Sequence, residues 1–154
     1  MIAVNIREYT MKQHPTEELL KILGSLDSVE ELEQVASEAE QTASYSSFSD
    51  FLSQKIEAAG ISAADMIRRT NIQRTYCYQI LSSAKKPGRD KVISLCLALK
   101  LSLDDIQRAL TLAGESSLYP KRRRDSILIF CINRGYSVTE TNDLLFELEE
   151  EILR

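Results

Sequence analysis

Residues 60–80, GISAADMIRRTNIQRTYCYQI, carry two short helical patterns with room for only a tight turn between them. Ser62 precedes the first pattern and Asp65 follows it by three residues, the spacing of a capping pair at a helix N-terminus. Asn71 stands at the turn, and asparagine tolerates the left-handed backbone better than most residues. Met66, Ile72, Cys77 and Ile80 supply an apolar seam between the two helices. Arg68, Arg69, Gln73, Arg74, Thr75, Tyr76, Tyr78 and Gln79 are left to face outward or sideways. Such a pair is the smallest unit that can place a helix in a DNA groove.

The rest of the chain agrees with a helical reading. Hydrophobic residues make up 44% of its 154 residues, enough for a core, with no Trp, five Gly and three Pro. Few helix breakers among many Leu, Ala, Glu, Ser and Ile predict an all-α fold. No apolar run is long enough to span a bilayer and no charged-then-apolar leader opens the chain, so a soluble, cytoplasmic protein with no membrane partner is expected. Cys77, Cys96 and Cys131 lie within apolar helical patterns and read as small core hydrophobes. His14 is the only histidine. No metal and no cofactor are expected from this set. With no glycine-rich phosphate loop and no nucleophile–histidine pairing, the chain does not read as an enzyme.

Three parts are expected: an acidic helical arm over 1–47, a helix-turn-helix domain over 48–114 and a helical hairpin over 115–154. In the arm, Pro15 opens a helix with Leu19, Ile22, Leu23 and Leu26 on one stripe. Ser28 and Glu31 open another, with Val29, Leu32, Val35, Ala36 and Ala39 aligned. Ile2, Val4 and Ile6 alternate as in a strand, over too short a run to decide, and QTASYSS (41–47) is a polar link. Residues 89–110 and 124–145 align without a gap at an offset of 35, matching Arg89 to Arg124, Asp90 to Asp125, Cys96 to Cys131 and Ser102 to Ser137. Each copy reads as helix, turn, capping pair (Ser102/Asp105, Ser137/Glu140), helix. That predicts a second hairpin stacked on the first, burying Ile127, Leu128, Phe130, Cys131, Leu144, Leu145 and Leu148.

Residues 48–114 resemble the helix-turn-helix domain of the xenobiotic-response-element family, which contains the lambda repressor and Cro. The resemblance rests on residues 60–80, the loop residues Lys85, Lys86 and Pro87, and the run RDKVISLCLALKLSLDDIQRAL after them. It implies a lambda-repressor-like five-helix domain. The tail, LYPKRRRDSILIFCINRGYSVTETNDLLFE, is similar to helix-turn-helix proteins of Gram-positive bacteria encoded near serine/threonine kinases. Charge fits: residues 48–114 carry ten Lys/Arg against six Asp/Glu, whereas 1–47 carry three against nine and 115–154 six against eight. The basic balance coincides with the DNA-reader pattern.

What the resemblance implies is a sequence-specific DNA-binding transcriptional regulator, partnered by double-stranded DNA and reading it as a homodimer, with residues 73–81 as the recognition helix in the major groove. Gln73, Arg74, Thr75, Tyr76, Tyr78 and Gln79 would approach base edges; Arg pairs with guanine and Gln with adenine. Ser62, at a helix N-terminus, and Lys85, Lys86 and Arg89 would hold phosphates. Residues two apart on a helix point about 200° apart, so one tyrosine must pack, and Tyr78 is the expected one. The cluster Lys121–Arg124 is an auxiliary phosphate contact, a dock for the acidic N-terminal segment, or a solvated helix start with Arg124 paired to an acid. A rival reading is a protein-interaction adaptor on the same scaffold, partnering a protein kinase. It is motivated by Ile67 where the family favours a small residue, and by Leu81 and Ser83 where it favours Glu and Gly. The apolar stripes of 15–39 and 144–153 serve either a dimer or the chain's own core.

Overall fold

The computed structural model describes residues 16–42 and 47–154, and among these the chain is all-helical, with nine helices and no strand. The alternation at Ile2, Val4 and Ile6, His14, Pro15 and most of the 41–47 link lie outside the described residues. Two compact units divide the chain at Ser44.

The first unit holds α1 (Thr16–Gly24) and α2 (Val29–Thr42). Ser28 Oγ accepts from Glu31 N–H at 3.2 Å, while the Glu31 carboxylate takes the Asp27 amide at 3.3 Å. The expected α2 stripe is not one buried face. Val35 is buried, but Val29 and Leu32 are 74% and 46% exposed.

The second unit begins with α3 (Phe48–Ala59), α4 (Ala63–Arg68) and α5 (Arg74–Leu81). It continues with α6 (Arg89–Ala98), α7 (Leu103–Leu112), α8 (Arg123–Asn133) and α9 (Val138–Glu147). α6 is the axle. Every residue from Val92 to Leu99 is buried, the mark of a helix enclosed on all sides. α4 packs on one side of it and α9 on another, α7 runs back along it, and α5 rests on α3 and α4. One continuous core runs from Phe48 to Leu153 and includes Cys77, Cys96 and Cys131, so the expected boundary at 114/115 falls inside shared packing. Phe130 and Leu148, expected in that core, are 43% and 36% exposed.

The offset of 35 is structural. α6–α7 and α8–α9 differ by one residue in length, with matching serine caps at Ser102 and Ser137 and matching left-handed exits: Lys100 with Gly135 (φ 55° and 67°), Gly114 with Glu149 (φ 72° and 61°). The match extends beyond the aligned helices. Leu118 N–H donates to Gln107 Oε1 at 2.7 Å, and Leu153 N–H, 35 residues on, to Asn142 Oδ1 at 2.8 Å. The copies also hold one another reciprocally. Arg89 forks onto Asp125 at 3.0 and 2.9 Å, and Arg124 forks onto Asp90 at 3.0 Å twice. The amide of Tyr119 reaches Asp125 at 2.9 Å and that of Arg154 reaches Asp90 at 3.2 Å. Contact i to j answered by j to i is the pattern of an isologous pair, here within one chain.

Candidate nucleic-acid interface

The α4–α5 pair is built locally. Ser62 Oγ accepts from Asp65 N–H at 3.1 Å and starts α4. The turn is made without a left-handed residue at Asn71. Instead Thr70 Oγ1 donates to the Ile67 carbonyl at 2.8 Å and accepts from Ile72 N–H at 3.3 Å. That hydroxyl removes the demand that asparagine was expected to meet.

Along α5 the inward side is Tyr76, Cys77, Ile80 and Leu81, all packed against the core. Gln73, Arg74, Thr75 and Tyr78 are exposed, and Gln79 is half-buried. The tyrosines therefore take the opposite roles to those expected. Tyr76 is half-buried with Lys91 Nζ 5.3 Å from its ring centre, and Tyr78 is outside with the Arg74 guanidinium 5.6 Å from its ring. Arg74 and Tyr78 are four apart, one turn of the same face. Gln73 makes no side-chain cap, so its amide projects from the start of the helix.

The loop after α5 is pinned to it. Ala84 and Lys85 N–H both donate to the Gln79 carbonyl, at 2.8 and 3.1 Å, and Pro87 is buried. Ser83 is left-handed (φ 64°), and its hydroxyl donates to Ser49 Oγ at 2.8 Å. Lys85 and Lys86 are thus carried, exposed, on a fixed backbone beside the C-terminal end of α5. Lys86 stretches toward the end of α7, where a Cβ on Gly114 would lie 3.0 Å from its Nζ. A helix C-terminus attracts a cation.

Two expected phosphate contacts take other roles. Arg89 turns inward. Besides Asp125 it donates to the Ser116 and Ser117 carbonyls, each at 2.9 Å, and Asp125 holds its pKa above the ordinary arginine value. Ser62 caps a helix of only six residues whose first turn already carries an anion. Hydrogen bonds from Ser62 and then Arg68 keep the Asp65 carboxyl below its usual range, so a phosphate there would meet a fixed negative charge. In the Lys121–Arg124 cluster, Arg123 pairs with Glu150 and Arg124 with Asp90, while Lys121 and Arg122 are exposed. An acid partner for Arg124 was one of the readings of this cluster; the matching pair of Arg89 was not expected.

Burial raises the pKa of all three cysteine thiols, which fits small core residues rather than nucleophiles. Among the described residues, no cluster of His, Cys, Asp or Glu could hold a metal ion. None of their helices is long and apolar enough to cross a membrane. Compared with protein-family models, curated proteins and solved structures, the chain matches nothing.

Proposed function

We propose that the protein is a sequence-specific DNA-binding transcriptional regulator of the lambda-repressor-like kind, with α5 entering the major groove. One observation carries this reading: α5 packs its inner side and leaves Gln73, Arg74, Thr75 and Tyr78 uncovered, with Lys85 on a rigid loop beside them. Arg74 supplies two donors for guanine, and Gln79 a donor and an acceptor for adenine, the pairings that distinguish the two bases. Lys85 and Lys86 supply the phosphate clamp. Tyr76 is set aside as a base reader, because its ring belongs to the core side of α5.

Selection from random duplex, followed by fluorescence anisotropy at several salt concentrations, tests the reading. The expected result is one enriched sequence whose affinity falls steeply with salt. The slope falls by about 2 in Lys85→Ala/Lys86→Ala, since each phosphate contact contributes about 0.9. Arg74→Ala/Gln79→Ala should cost a few kcal/mol on the selected site and little on random duplex. Equal affinity of that variant for both duplexes refutes base reading by α5.

The adaptor reading has an observation of its own. With Arg89 and Ser62 committed internally, the phosphate clamp is short, and a stacked Arg74–Tyr78 pair is the composition of a protein-binding hot spot. The partner would then be a protein, such as a kinase in a cytoplasmic signalling system. Absence of duplex binding at low salt, together with loss of a purified partner in Arg74→Ala/Tyr78→Ala, would select it. Homodimerisation on two half-sites belongs to the DNA reading. Of the stripes considered for it, 144–153 packs Leu144, Leu145 and Leu153 against the chain's own core and leaves Phe146, Leu148 and Ile152 exposed.

A further inference from the structure

A recess of about 180 Å³ lies where the α4–α5 turn meets the end of α6 and the start of α9. Arg68, Arg69 and Lys100 line it, and no carboxylate does. Arg68 is paired with Asp65, but the other two have no ion-pair partner among the described residues. Arg69 donates to the neutral carbonyl of Ala98, at 3.5 Å, and Lys100 to that of Gly135, at 2.6 Å, with the Glu140 carboxylate near enough for the Lys100 charge to help lower its pKa. Like charges gathered in a recess repel one another and raise the local concentration of counter-ions. Ser137, Val138 and Thr139 complete the lining. The first hydrogen bonds of α9 are Thr141 N–H to the Ser137 carbonyl and Glu140 N–H to Ser137 Oγ, so the amides of Val138 and Thr139 precede the intrahelical ladder. Glu140 is turned back onto the Ser137 amide at 3.1 Å.

We propose that this recess binds a small phosphate-bearing anion through the side chains of Arg69 and Lys100. The volume admits a phosphoryl group and a few further atoms. Bound there, the anion bridges the α4–α5 turn to the second hairpin and stiffens the base of α5. Only the consequence for DNA rests on the proposed function; the site does not. The same chemistry could arrive as a free phosphorylated metabolite or as a backbone phosphate of DNA. The recess lies between two turns rather than along the outer face of α5, which favours the free ligand.

Thermal unfolding of the full chain in sodium pyrophosphate, against sodium chloride at matched ionic strength and without DNA, tests the site. A saturable rise in Tm is expected. The half-saturating concentration should increase at least tenfold in Arg69→Gln and in Lys100→Gln, and stay unchanged in Lys85→Ala/Lys86→Ala. Thr139→Asp provides a variant independent of those cations. A carboxylate suits the first turn of a helix, so the fold is kept while the anion is repelled. A rise no larger than sodium chloride gives, or one abolished by Lys85→Ala/Lys86→Ala, overturns the proposal. So does stabilisation by a short duplex but not by pyrophosphate. The pyrophosphate outcomes do not depend on whether α5 reads bases.

Discussion

Asp125 and Asp90 occupy equivalent places in the two hairpins, accept the same forked arginine and the same backbone amide, and differ chiefly in burial. The side chains of the Arg89–Asp125 pair are 19% and 3% exposed, those of Arg124–Asp90 22% and 25%. Asp125→Ala leaves a guanidinium without its carboxylate and the Tyr119 amide without its acceptor, in a place water reaches poorly. Breaking a buried pair from one side costs about 3–5 kcal/mol. Asp90→Ala removes the same number of bonds, but water can replace the more accessible carboxylate, so the loss is about 1 kcal/mol. At roughly 4 °C per kcal/mol for a unit of this size, Tm falls by about 12–20 °C in the first case and about 4 °C in the second. Circular dichroism at 222 nm during heating reads both. The double variant Arg89→Met/Asp125→Leu should recover only part of the loss, since it removes the uncompensated charge but leaves the Tyr119 amide and the Ser116 and Ser117 carbonyls unpaired. Equal losses at the two aspartates would refute the argument that burial, rather than the count of bonds, sets the energy.

Other expectations follow from the same structure. Burial alone would raise the Asp125 pKa, but the hydrogen bonds from Arg89 and the Tyr119 amide outweigh it and leave the pKa below the ordinary 3.8. Its stabilisation is therefore complete above that value and lost as pH falls through the lower folded pKa, so acid unfolding should begin below about pH 4 and be flatter in Asp125→Asn. Glu149→Gly should stabilise by about 1 kcal/mol in a denaturant titration, because Glu149 holds φ 61° where its counterpart is Gly114 at 72°. Tyr78→Ala should leave stability within about 0.5 kcal/mol, whereas Tyr76→Ala should lower it measurably; equal effects would contradict the assignment of inside and outside. Cys77, Cys96 and Cys131, all buried, should resist a thiol reagent in the folded protein and react together in denaturant.

Much of the architecture was legible because its signals are local. Ser62 with Asp65, Ser102 with Asp105 and Ser137 with Glu140 each mark a helix start three residues wide, and each is a cap in the structure. The offset of 35 needs only alignment. What stayed hidden depends on distant partners. Periodicity separates Tyr76 from Tyr78 but does not say which side of α5 will face α3 and α4, and the Lys91 ammonium adds a contact to the Tyr76 ring from another helix. Arg89 follows Lys85 and Lys86 and reads as one more phosphate contact, yet its acid lies 36 residues away. The clue was the Arg-Asp dipeptide opening both copies, since mirrored hairpins pair such dipeptides crosswise. Phe130 was assigned to the core by helical spacing, but the fully buried member of the pair is its counterpart Leu95, on a helix that also packs against α4.

Two hairpins of one design divide the labour unequally. α6 must satisfy neighbours on every side, so changes there are constrained from several directions at once. α8 keeps the mutual seam but is relieved of the outer duty: Asn133 and Arg134 stand where α6 has Ala98 and Leu99. In descendants of such a gene, drift should run freely over that outer face. Along the seam, substitutions should survive only in compensating couples, so the tempo of change would itself trace the dyad.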